Sequence, residues 1–237
     1  MGKEVLLTRP IEEAIKDRET FERFGFKVNL LPTIDFEPLD FEVPSLEDFD
    51  YVYFGSKRGI RFFLGRVGTL PSHLKVIAVG EKTARSLKEF GLEPFLVLKG
   101  SSDHLLELAK EKKLKAGKIL IPTAESYLKK IHKLERFGFK LKVLPVYRTV
   151  FVNYPLEEVL EKLNRSKVVI FTSPSTFKGL LINLQNCKEF LKEKKIVAIG
   201  KTTEAAILKE GFKVWWKPTE PNIEVLAREL AEVFNGI

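Results

Sequence analysis

Short apolar runs recur along this 237-residue chain, separated by stretches with helical spacing. Tyr51–Phe54, Val76–Val79, Val168–Phe171 and Ile196–Ile199 are apolar almost throughout. Such runs suit strands buried on both faces of a parallel sheet. Shorter runs at Val5–Thr8, Val28–Leu31, Phe95–Leu98, Ile119–Ile121, Lys142–Pro145 and Val214–Trp216 also read as strands. Pro10 suits the first position of a helix; Ile11, Ala14, Ile15 and Phe21 would form its apolar face, and Gly25 its end. Further helices are expected over Arg58–Leu64, from Gly80 to Gly91, over Leu105–Lys112 behind a capping cluster Ser101-Ser102-Asp103, up to Gly138, and over Ile223–Phe234. Asp35–Pro44, with two prolines, and Tyr147–Val152 read as extended linkers. Strands alternating with helices predict an α/β fold with parallel sheets.

The two halves repeat. Glu22-Arg23-Phe24-Gly25-Phe26-Lys27 returns unchanged at 135–140, 113 residues on. Val5-Leu6-Leu7-Thr8 is echoed by Ile119-Leu120-Ile121-Pro122, and Leu31-Pro32-Thr33 by Leu144-Pro145-Val146. Phe54-Gly55-Ser56-Lys57 matches Phe171-Thr172-Ser173-Pro174, and Val76–Thr83 matches Ile196–Thr203. Several blocks in register indicate a duplicated α/β unit.

Composition narrows the classes of function. An apolar fraction of 44% is ample for buried cores and excludes global disorder. Cys187 is the single cysteine, which excludes an intramolecular disulfide and a cysteine-built metal site. His73, His104 and His132 lack ligand spacing and read as exposed helix or loop residues. No signal peptide or membrane-length apolar run is present, so a soluble cytoplasmic protein is expected. The net charge of +8 allows three readings. One is a thermophile-like surface rich in Lys and Glu and poor in Cys, Met and Gln. The second is a small polyanionic ligand. The third, nucleic acid, lacks a basic tail or an aromatic-basic motif.

Ligand loops of parallel sheets lie at the carboxyl ends of the strands. Here they are Thr8-Arg9, Ser56-Lys57-Arg58, Gly80 to Thr83, Thr123-Ala124-Glu125, Ser173 to Thr176 including Ser175, and Gly200 to Thr203 including Thr202. Each is small, hydroxylated or basic and precedes a helix, whose N-terminal amides and dipole suit carboxylates or phosphates. Taken singly, such residues are ordinary helix caps. Six loops in two matching sets point to one anion-rich ligand. No glycine-rich phosphate loop is present, so no nucleotide cofactor is indicated.

In order and spacing these blocks resemble uroporphyrinogen-III synthase. The carriers are Leu6-Leu7-Thr8-Arg9-Pro10, Phe54-Gly55-Ser56, Ala78-Val79-Gly80 through Thr83-Ala84, Pro145-Val146-Tyr147-Arg148-Thr149, Phe171-Thr172-Ser173-Pro174 and Ala198-Ile199-Gly200-Lys201-Thr202-Thr203. The chain departs from the family at Gly55, where threonine is more usual; a backbone role for this loop is unaffected. The resemblance implies two similar α/β domains joined by two extended linkers, with the active site in the cleft between them. Residues 1–34 and 150–237 would form one domain and 35–149 the inserted one. It implies a cofactor-free, metal-free lyase, monomeric, that turns hydroxymethylbilane into uroporphyrinogen III with loss of water and inversion of ring D. The partner is then a polyanionic tetrapyrrole, not nucleic acid or a membrane.

By pattern alone Tyr147 is a structural tyrosine with a bonded hydroxyl. In the family, the tyrosine at this point is the candidate for assisting loss of the substrate hydroxyl. Its counterpart in the repeat is Ile34, so fold symmetry does not require the hydroxyl. The competing reading is a two-domain binding or sensor protein for a small polyanion, without chemistry.

Overall fold

The computed structural model describes residues 3–99, 102–126 and 129–236. Its chain runs β1 (Glu4–Leu7), α1 (Ile11–Arg23), β2 (Lys27–Leu30), β3 (Ile34–Pro38), β4 (Tyr51–Phe54), α2 (Lys57–Val67), β5 (Lys75–Val79), α3 (Gly80–Glu89), β6 (Leu96–Leu98), α4 (Asp103–Lys110) and β7 (Lys118–Ala124). A 3-10 helix over Lys129–Phe137 leads to β8 (Lys140–Phe151). Then come α5 (Leu156–Arg165), β9 (Val168–Phe171), α6 (Pro174–Leu184), α7 (Glu189–Lys192), β10 (Lys195–Ala198), α8 (Lys201–Lys209) and α9 (Ile223–Asn235). Two compact units result: Met1–Asp35 with Val150–Ile237, and Phe36–Thr149.

The first unit holds a parallel sheet ordered β10-β9-β1-β2. The second holds a sheet ordered β3-β8-β7-β4-β5-β6, parallel from β8 to β6. Read as β5-β4-β7-β8, its inner strands reproduce the order of the first sheet. The sequence repeat is thus a repeat of topology, strand for strand.

Both sheets are covered on both faces, which is why their strands are apolar without alternation. In the first unit Leu6, Val169, Ile196 and Ala198 enter one cluster with α5 and α6, while Val5, Leu7, Val168, Ile170 and Val197 enter another with α9. In the second, Val52, Phe54, Val76, Ala78 and Leu120 face one side and Tyr51, Tyr53, Ile77, Ile119 and Ile121 the other. Each large apolar side chain fully buried in these layers, from strand or helix, contributes roughly 1.5–3 kcal/mol.

Several local expectations are corrected. The buried face of α1 is Glu13, Ala14, Asp17 and Phe21, whereas Ile11 and Ile15 are 45% and 47% exposed. Asp17 tolerates burial because Arg9 Nη1 lies 2.8 Å from its carboxylate. The two extended linkers are partly sheet, although residues 39–44 of the first have no regular structure. Tyr147 to Phe151 continues β8, and β3 runs antiparallel beside it: Leu39 N–H donates to Val146 O near one end and Val152 N–H to Thr33 O at the other. Val214–Trp216 is no strand; Trp216 makes one isolated parallel bridge to Val197. The helix expected before Gly138 is of the 3-10 type, over Lys129–Phe137. Ser102 makes no side-chain cap to α4, which ends at Lys110 rather than Lys112; Ser101 lies outside the described residues. Among the described residues no helix is long and apolar enough to cross a membrane.

Candidate functional site

Because β10, β9 and β1 are adjacent and parallel, the loops after them form one row at a single edge of the first sheet. The row holds Gly200 and Thr202, then Ser173 and Ser175, then Thr8 and Arg9. The second sheet repeats it at the carboxyl ends of β5, β4 and β7 with Gly80, then Ser56, Lys57 and Arg58, then Thr123 and Ala124. Topology therefore gathers the predicted loops into two sets of three, one in each unit.

In the first unit Ser173 caps α6. Its Oγ accepts from Thr176 N–H at 3.2 Å, while its own N–H donates to Thr176 Oγ1 at 3.3 Å, closing a capping box. Gly200 precedes α8 with an extended backbone, and Thr202 is exposed in the first turn. Thr8 is not available to a ligand through its side chain: it is fully buried and its hydroxyl donates to Ile170 O at 2.8 Å. Arg9 is partly occupied by Asp17.

In the second unit Ser56 caps α2, with Oγ accepting from Gly59 N–H at 3.2 Å. Gly80 adopts φ +76° at the start of α3, the left-handed conformation that favours glycine. Thr83 is only 5% exposed within α3, so it too is withdrawn from a ligand. Thr123 and Ala124 close β7 half-buried. Neither α2 nor α6 has an acidic residue in its first turn, so their positive ends stay uncompensated there; α3 and α8 carry Glu81 and Glu204.

Tyr147 joins this second set through a β-bulge. Thr123 pairs with Pro145 and Ala124 with Tyr147, leaving Val146 as the extra residue on β8. Successive strand residues normally face opposite ways, yet Val146 and Tyr147 both enter the same core cluster. The irregularity thus re-aims the tyrosine toward the start of α2, where its Oη stands 3.5 Å from Ser56 Oγ. Phe62, one turn and a half along α2, stacks on the Tyr147 ring at 5.3 Å and 21°. Phe36 meets it edge-on at 5.8 Å, and the Arg58 guanidinium sits 3.8 Å above the Phe36 ring. The phenol is held on both sides and 8% exposed.

Sequence reasoning missed Phe36, Phe62 and Gly59. Gly59 had a signal: the repeat has Thr176 at the equivalent place three residues beyond the cap. Among the described residues no group of three or more His, Cys, Asp or Glu is placed to hold a metal ion. Each unit thus presents a row of helix-start amides, hydroxyls and cations, and the second unit adds a packed phenol.

The sequence profile of the family described as Uroporphyrinogen-III synthase HemD matches residues 16–228. A uroporphyrinogen-III synthase of Chlorobaculum parvum is 30% identical over 226 residues, covering 90% of this chain and 91% of its own. A putative uroporphyrinogen-III synthase of Methanocaldococcus jannaschii is 27% identical, covering 88% of this chain and 90% of its own. In fold the chain is similar to the crystal structure of the Helicobacter pylori uroporphyrinogen-III synthetase, with a TM-score of 0.69 at 20% identity over 99% of this chain and 100% of that one. A mutant Thermus thermophilus enzyme gives 0.60 at 21% identity over 99% of each.

Proposed function

Since the chain belongs to the uroporphyrinogen-III synthase family, lyases that cyclise hydroxymethylbilane in haem biosynthesis, we propose that it does so with Tyr147 as proton donor and its strand-end loops as carboxylate holders. The observation that carries the first part is the bulge that turns Tyr147 to the start of α2, beside Ser56.

The reaction sets the demands. The substrate's terminal hydroxyl leaves as water, and the pyrrole lone pair forms the double bond of an azafulvene-type electrophile. The substituted carbon of ring D attacks, and the resulting spiro intermediate fragments and recloses with that ring inverted. No electrons are gained or lost overall, so the steps need no redox cofactor. Unassisted closure gives the wrong isomer, so the protein mainly has to hold the substrate's conformation.

Tyr147 Oη–H transfers its proton to the departing hydroxyl oxygen as the C–O bond breaks. The proton released when ring D regains aromaticity restores the phenol. The substrate carries carboxylates on every pyrrole. The N-termini of α2 and α6, free of first-turn acids, receive them through backbone N–H groups, with Arg9, Lys57 and Arg58 adding charge. Ser175, Gly80, Thr123, Ala124, Gly200 and Thr202 line the same loops, while Thr8 and Thr83 serve through their backbone. The reading includes a monomer acting in the cytoplasm, without metal.

Tyr147→Phe tests it. The ring and its packing survive while the proton is lost, and a positioned general acid contributes about 10²–10⁴ in rate. The electron-rich pyrrole already expels its hydroxyl, so the expected fall in kcat is about ten- to a hundredfold, with KM little changed and type III product retained. Wild-type activity would remove Tyr147 from the chemistry. A switch to the type I isomer would show that the tyrosine steers ring closure.

A further inference from the structure

The duplication supplies an internal comparison for Ser56. In the first unit the hydroxyls of the α6 cap satisfy one another. Thr176 N–H donates to Ser173 Oγ, Thr176 Oγ1 donates to Ser173 O at 2.8 Å, and Ser173 Oγ stands 3.5 Å from Thr176 Oγ1. The serine proton has an acceptor within its own turn. In the second unit the threonine's place is taken by Gly59, whose N–H still donates to Ser56 Oγ. Packing explains the glycine: a Cβ there would lie 2.9 Å from Pro122 O of β7, closer than a carbon and a carbonyl oxygen tolerate. Helix and strand thus approach too closely for a capping box to form. Ser56 keeps its amide donor but lacks the neighbouring side-chain acceptor, and Tyr147 Oη lies 3.5 Å away.

We infer that Ser56 is a positioning residue for the dehydration step: its hydroxyl donates to Tyr147 Oη, aims the phenol's own proton outward, and stabilises the phenolate left after transfer. The inference rests on Tyr147 being the proton donor. The chain of donors runs Gly59 N–H to Ser56 Oγ, Ser56 O–H to Tyr147 Oη, and Tyr147 O–H to the substrate hydroxyl oxygen. When the C–O bond breaks its electron pair leaves with the oxygen as water, and the phenolate charge falls on an oxygen that Ser56 and the positive end of α2 face. Hydrogen bonds of this kind are commonly long before substrate binds and tighten in the complex. In the first unit the residue equivalent to Tyr147 is Ile34, so the closed Ser173–Thr176 pair has no phenol to serve.

The test is a double-mutant cycle on kcat for uroporphyrinogen III formation from hydroxymethylbilane, using Ser56→Gly, Tyr147→Phe and the double variant. Glycine is chosen because it serves at a helix N-cap nearly as well as serine, so the fold is retained. Ser56→Gly is expected to lower kcat about three- to tenfold, the scale of one hydrogen bond, with KM and the unfolding midpoint little moved. Ser56→Thr should restore kcat, and Ser56→Gly should have no further effect once Tyr147 is Phe. If Ser56→Gly costs the same factor in both backgrounds, Ser56 does not act through the phenol and the inference falls while the proton-donor reading stands. If Tyr147→Phe is as active as wild type, both fall together.

Discussion

Two glycines on α2 should respond in opposite directions to the same change. Gly59 and Gly65 both lie inside the helix, where replacing glycine by alanine gains about 0.5–1 kcal/mol of conformational free energy. At Gly65 an added Cβ meets nothing within 4 Å, so Gly65→Ala should stabilise the second unit by about 0.5–1 kcal/mol. At Gly59 the added Cβ would stand 2.9 Å from Pro122 O. That atom is backbone in a paired strand, so relief requires moving the start of α2 off β7, a distortion of the kind that costs about 1–3 kcal/mol. Net of the propensity gain, Gly59→Ala should destabilise by up to about 2 kcal/mol. Urea unfolding of the single variants, compared through midpoints at constant slope, measures both. Gly59→Ala should also lower kcat, because Ser56 is carried on the turn that must move. A midpoint for Gly59→Ala as high as for Gly65→Ala would refute the close approach, and with it the reason given for the missing capping box.

Two predictions concern buried polar anchors of the first unit. Glu229 on α9 is 9% exposed and accepts from Trp216 Nε1–H at 3.1 Å and from the Thr219 N–H and hydroxyl. Burial pushes its pKa up, but these bonds outweigh burial and hold it below the usual 4.5, so its stabilisation is present above about pH 4.5 and is lost as pH falls further. Glu229→Gln, which keeps one acceptor oxygen, should cost about 1–3 kcal/mol at neutral pH and flatten the acid-side decline in thermal midpoint; an unchanged acid limb would contradict this. Asn183 on α6 is satisfied on both atoms, accepting from Tyr154 N–H at 2.8 Å and donating to Val152 O and Gly179 O. Asn183→Leu should cost about 2–4 kcal/mol in urea by orphaning Tyr154 N–H and Val152 O, and a loss under about 0.5 kcal/mol would show that water replaces the side chain.

What could be read in advance was what repeats and what is apolar. The four fully apolar runs became β4, β5, β9 and β10, since a strand covered on both faces leaves an unbroken apolar run. The loops followed from strand polarity. What escaped depended on partners distant in sequence. Ile11 and Ile15 looked like the core face of α1, but the face that packs holds Glu13, Ala14, Asp17 and Phe21, with Asp17 paired to Arg9 across a turn the local pattern does not show. Thr8 looked like a ligand-facing cap, but its hydroxyl donates to the Ile170 carbonyl on β9, 162 residues away in sequence. The bulge at Val146 has no local signature, so the aim of Tyr147 could be had only through resemblance to a family. Asn183 and Glu229 lie on amphipathic helices where a polar residue ordinarily means solvent, and only the backbone packed against them shows otherwise.

Closure of a linear tetrapyrrole to the inverted isomer is the activity on which every residue role above depends. The direct measurement incubates the purified, chelator-treated protein with freshly prepared hydroxymethylbilane, oxidises the product and separates the isomers by chromatography. Uroporphyrinogen III is expected, at a yield that rises with protein concentration. Type I isomer alone, at the rate seen without protein, would contradict it.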